Sequence, residues 1–120
     1  MQRKPKNRGA ALLMCLFMIL MVASLVTSVL DTETLQLAAT RNTIEYEQAL
    51  YWANAGVHRA CAELTTNAAY RGTLTEGTLP PNASPSGFSV TVADDVSNIR
   101  VTATGYSGRG MRTVQANVEL

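Results

Sequence analysis

No proline stands between Lys6 and Leu79, and that interval holds only four glycines, Gly9, Gly56, Gly72 and Gly77. Proline removes a helix donor and clashes with the preceding turn, so nothing from residue 10 to about residue 66 has to interrupt a helix. Gly56 in its interior costs about 1 kcal/mol relative to alanine. Charge is also missing where it would matter most, because residues 10–30 carry none of either sign. Lysine does not recur after Lys6. Past Gly9 there are six arginines against nine acids, a net charge of −3, so no basic patch is available for nucleic acid.

The residues of catalysis are equally sparse. The one histidine, His58, has no Cys or His partner at metal-ligand spacing, which argues against a metal site. Serine and aspartate occur, but no G-x-S-x-G elbow does. "GYSGRG" lies between two strand patterns, has no helix after it and lacks the Lys-Ser/Thr ending of a phosphate loop, so it reads as a hairpin turn. Asp94 and Asp95 read as solvated turn formers, and the sequon at Asn82 is followed by Pro85. The chain is expected to be no enzyme and to need no cofactor. Of its two cysteines, Cys15 falls in the apolar run and Cys61 far beyond it. On one continuous helix they would stand roughly 69 Å apart, so no internal disulfide is expected. Cys61 reads as a small buried apolar side chain, with an intermolecular bond left open.

What the sequence does have is a long apolar run. Residues 10–30 make 21 uncharged positions, a helix of roughly 31 Å, which matches the hydrocarbon thickness of a bilayer. Arg3, Lys4, Lys6 and Arg8 precede Gly9 with no acid among them. Basic flanks stay cytoplasmic, so the N-terminus is expected inside and the remainder in the periplasm or outside.

Residues 31–66 continue as an amphipathic helix. Tyr46, Leu50, Ala53, Val57, Ala60 or Cys61, and Leu64 recur at steps of three and four, so Leu50, Ala53, Val57, Cys61 and Leu64 are expected to pack on a sheet. Small residues at 49, 53, 55, 56, 60 and 62 let a neighbouring element approach closely. Residues 67–87 are rich in Gly, Pro, Ser and Asn and read as an irregular connection with one short edge strand near residues 73–75. In residues 88–120, "FSVTV", "NIRVTATG" and "RTVQANVEL" alternate apolar and polar residues, which predicts an antiparallel meander of three strands, or four with the edge strand. That sheet is too small to bury a core alone, and the helix has an unmet apolar stripe. The expected fold is therefore α+β, a long N-terminal helix with its second half packed on the sheet.

A basic leader ending in glycine, an apolar helix begun directly after it, helical continuation and a terminal β-meander together resemble the type IV pilins. "YWANAGVHRACAEL" is similar to a recurrent segment of PilX-type minor pilins, with Asn54 in place of its acid, and "VTATGYSGRGMRTVQANVEL" is similar to their strand, glycine-rich turn, arginine and strand. The resemblance implies residues 1–9 as a leader cut between Gly9 and Ala10 by a prepilin peptidase, with N-methylation of Ala10. It implies that Met14, Leu16, Phe17 and Leu20 pack against other pilin or pseudopilin helices, and that an inner-membrane assembly platform is a partner. Major pilins carry glutamate as the fifth residue after the cut, where it neutralises a neighbour's terminal amine. Here that residue is Met14. An ammonium left unpaired in hydrocarbon is costly, so the resemblance points to a minor pilin or pseudopilin, at initiation or at a tip, rather than a bulk subunit. Two alternatives stand beside it: an uncleaved single-pass inner-membrane protein with a small periplasmic domain, and a secreted binding module whose signal peptide is cut near "VAS" or "VTS".

Overall fold

The structure is a computed structural model that describes residues 8–119. Helix α1 (Arg8–Thr66) is followed by strands β1 (Gly72–Thr78), β2 (Ser86–Asp94), β3 (Ile99–Ser107) and β4 (Gly110–Val118). The strands form one antiparallel sheet in sequence order. The layout is α+β, a long N-terminal helix packed against a four-stranded meander. Residues 1–7 of the leader, with Arg3, Lys4 and Lys6, lie outside the described residues, as does Leu120.

The chain divides into two compact units, Met1–Ala39 and Thr40–Leu120. In the first, every described side chain from Gly9 onward is exposed. Two of its threonines bond back along the helix: Thr27 Oγ1 donates to the Ala23 carbonyl and Thr32 Oγ1 to the Ser28 carbonyl, each at 2.9 Å. Such back-bonding lets threonine sit in an apolar helix without an unpaired polar atom.

In the second unit the helix ends at an Asx turn. Asn67 N–H still donates to the Glu63 carbonyl at 2.8 Å, while the Asn67 side-chain oxygen accepts Ala69 N–H at 3.1 Å and turns the chain toward the sheet. Phe88, Val90 and Val92 of β2 and Ile99, Val101 and Ala103 of β3 alternate inward and form the core with Ala60 and Leu64. Trp52, Val57, Tyr70, Leu74, Ala116 and Val118 pack around that centre half-buried.

Three sequence expectations need correction. The edge strand is not a short piece of an irregular connection: β1 runs seven residues and pairs with β2 along its whole length, from Gly72 with Val92 to Thr78 with Ser86. The segment reads as turn-like because Leu74 is its only large apolar residue, and its strand is held by the ladder to β2 rather than by burial of its own. "GYSGRG" is only partly a turn. Gly105 lies in β3 and Gly110 in β4, with the turn confined to Gly108 and Arg109.

The third correction concerns only the start of the helix stripe, Tyr46 and Leu50; Ala53 and Leu64 are buried, and Val57 and Cys61 are half-buried. Leu50 is 43% exposed and Tyr46 46% exposed, whereas Ala49, Ala53 and Ala60 are fully buried and Leu64 nearly so. Gly56 is buried as well. The stripe is turned toward the small residues because the sheet presents glycine to the helix. A Cβ on Gly105 would overlap the Ala49 carbonyl oxygen and the Ala53 nitrogen, and one on Gly110 would lie 2.6 Å from the Glu45 carbonyl oxygen. Backbone meets backbone there, and alanine is what fits.

Candidate functional site

Residues 9–30 are the first place to look, since no other stretch combines length with freedom from charge. The helix that begins there is long and apolar enough to cross a membrane by length and composition, and every described residue from 9 to 30 is exposed. Met14, Leu16, Phe17 and Leu20 are 74, 56, 58 and 61% exposed. Their steps of two, one and three spread them around the helix, with Leu16 and Leu20 on one face, and all four are exposed. Cys15 is exposed and free, and Cys61 is half-buried and free.

Gly9 behaves unlike the glycines of the sheet unit. A Cβ added to it meets nothing within 4 Å. Glycine is poor in a helix, yet among the described residues it permits no close approach and no left-handed backbone at this position. At Gly56, by contrast, a Cβ would lie 3.0 Å from Phe88 Cδ2, and at Gly108 the backbone is left-handed with φ +55° and a Cβ would stand 2.9 Å from the Glu45 carboxylate.

Ala10 is the next exposed helical residue.

In the sheet unit, Ala53 and Leu64 are buried against the strands, Val57 and Cys61 are half-buried at the flank, and Leu50 is directed outward. Trp52 lies beside Phe88 with ring centroids 6.4 Å apart, while Tyr51 is 73% exposed. His58 is exposed. Asp94 pairs with Arg71 at 2.6 Å, and Asp95 pairs with Arg100, so the two carboxylates tie the β2–β3 turn to its surroundings. Among the described residues no group of three or more His, Cys, Asp or Glu side chains could hold a metal ion.

Two positioning contacts have no signature in the local sequence. Glu45 on the helix accepts Arg109 N–H through Oε2 at 3.1 Å, which caps the β3–β4 turn, and its Oε1 stands 3.5 Å from Arg41 Nε. Ser107 Oγ donates to Gln48 Oε1 at 2.8 Å, a polar bond at the buried end of β3. Together they fix the turn over the helix at residues 45–49. Their partners are 64 and 59 positions apart in sequence, so only the fold reveals them. Chemically the arrangement offers exposed surfaces and an apolar span. Compared with protein-family models, curated proteins and solved structures, the chain gives no match.

Proposed function

We propose that this chain is a minor pilin or pseudopilin, a structural subunit of a type IV pilus or type II secretion-like filament. The observation that carries this is the join at Gly9: a glycine at which a Cβ would meet nothing within 4 Å among the described residues, between a basic leader and a charge-free span whose large side chains are all exposed. A glycine without a packing or turn role is available to be read by another protein, and a prepilin peptidase reads glycine at such a join. The span would be held in the inner membrane and then pack on other pilin helices, with the N-terminus cytoplasmic before processing and the sheet unit in the periplasm. Met14 leaves a neighbour's terminal amine without a carboxylate, which suits a subunit at initiation or at a tip.

Mass spectrometry of the mature N-terminus tests this. The expected product begins at N-methylated Ala10, and Gly9→Trp should leave the full-length chain in the membrane. A product that begins with Met1 makes the chain a single-pass membrane protein, and one that begins after about residue 24 makes it a secreted module with an ordinary signal peptide. Either result overturns the pilin assignment.

A further inference from the structure

The two outer strands of the sheet are open, and they match each other. β1 and β4 carry neither lysine nor proline, the residues that commonly blunt an edge. Following the register across the sheet, Glu76 pairs with Phe88, Phe88 with Gly105, and Gly105 with Arg112, so one row runs from an acid at the β1 edge to a base at the β4 edge. Three strand spacings, roughly 14 Å, separate the two within a chain. Both are exposed, and neither has an ion-pair partner among the described residues. Arg112 is held over the Tyr46 ring at 5.2 Å, on the helix side of the sheet.

The neighbouring rows match in the same way. Leu74, Val90, Ala103 and Val114 form one, with half-buried apolar side chains at both ends, and Thr75, Ser89, Thr104 and Thr113 form another that is polar throughout. We infer that copies of this chain join edge to edge, β4 of one against β1 of the next, with Arg112 meeting Glu76 of the neighbouring copy. The strand count permits it. Each residue of an antiparallel sheet directs its N–H and C=O to the same side, so hydrogen-bonded and non-hydrogen-bonded pairs alternate along a row, and four strands return the pattern in phase. The new pair is antiparallel like the other three. Val114 then covers Leu74 of the next copy, and Thr113 stands beside its Thr75.

Because different edges meet, the contact is head-to-tail and leaves a free edge at each end. Strand twist of roughly 20–25° per step, carried over four strands, turns each copy by roughly 80–100° and winds the array. Edge pairing of this kind does not depend on processing at Gly9, so the N-terminal mass and the association below are read independently.

Cysteine cross-linking of the full chain in detergent tests it, in a Cys15→Ala, Cys61→Ala background. Facing residues of an antiparallel pair have Cα atoms about 4.5–5.5 Å apart, within disulfide range, whereas Thr75 and Thr113 of one chain are too far apart to bond. Thr75→Cys and Thr113→Cys should each stay monomeric alone, give a dimer when made together as separate chains, and give a ladder of multimers when placed in one chain. Dimers from either single variant alone, or no ladder from the doubly substituted chain, would overturn the pairing. In the ladder-forming chain, Glu76→Arg or Arg112→Glu should each lower the yield by about tenfold, since like charges then face one another, and the two together should restore it. A yield that stays low when both are exchanged also sinks the proposal, because a charge contact would have been recovered by the exchange.

Discussion

Helix α1 treats its side chains in two opposite ways. Between residues 10 and 30 it carries large apolar residues, among them Leu12, Met14, Leu25 and Ile19, each at least 66% exposed. Between residues 49 and 64 its covered positions are mostly alanine and glycine, with Ala49, Ala53 and Ala60 at zero exposure. The second stretch has its partner inside the chain, and its residues are small because the partner's backbone comes close. The first has no large apolar side chain covered by any of the described residues. Withdrawing a Leu, Ile, Phe or Met side chain from water is worth about 1.5–3 kcal/mol, so the exposed set amounts to a large demand for apolar cover from outside. Size is therefore a poor guide to burial along this helix, and the chemistry of what lies opposite is a better one.

The sharpest way to break the contrast is to put the same substitution at a glycine of each kind. Gly105→Val drives a branched side chain into the Ala49 carbonyl, with no flexible group to yield, and should cost more than about 4 kcal/mol, enough to abolish a cooperative melt of the sheet unit. Gly9→Val has open space and should leave that melt within about 0.5 kcal/mol. Thermal unfolding of the full chain in detergent, followed by the strand signal in circular dichroism, measures both. Equal melts would mean that the helix and sheet do not meet backbone to backbone.

Leu64→Ala comes next. Leu64 is 2% exposed in the main cluster, and its truncation should destabilise the sheet unit by about 2–5 kcal/mol, read from the urea midpoint. Smaller again is Ser107→Ala, which removes the donor to Gln48 and should cost about 1 kcal/mol, since the glutamine can turn its amide toward solvent.

These sites also mark how much of the molecule could be read from its sequence. The uncharged run, the three alternating strands and the need of helix and sheet for each other follow from local pattern, and the α+β layout came with them. The outward turn of Tyr46 and Leu50 did not, because these two carry most of the apolar bulk near the turn, while the choice of face there is made by Gly105 and Gly110, distant in sequence. β1 was only partly legible for a related reason: six of its seven residues are glycine, threonine or glutamate, and what makes them a strand is the ladder to β2. The Glu45 and Gln48 contacts lie beyond any local pattern, since single polar residues on an exposed helix carry no mark of a turn that folds back onto them. Gly9 is the reverse case: its position at the charge boundary is plain in the sequence, and the structure adds that a Cβ there would meet nothing within 4 Å among the described residues.

Leu20→Ala, the smallest of the expected effects, isolates the demand that lies outside the chain. Leu20 is 61% exposed, so its loss should move the melt of the sheet unit by less than about 0.5 kcal/mol, against the 2–5 kcal/mol expected for the same change at Leu64. Its effect belongs instead to the apolar surroundings of the span. A leucine at the centre of a membrane helix favours insertion by about 0.3–0.6 kcal/mol, so one substitution in so long an apolar run should leave the chain in the membrane fraction. Sedimentation with membranes and the urea midpoint, measured on the same preparation, separate the two demands. A lowered midpoint would show that residues 10–30 support the sheet unit after all, and the contrast between the two stretches of α1 would then be one of degree.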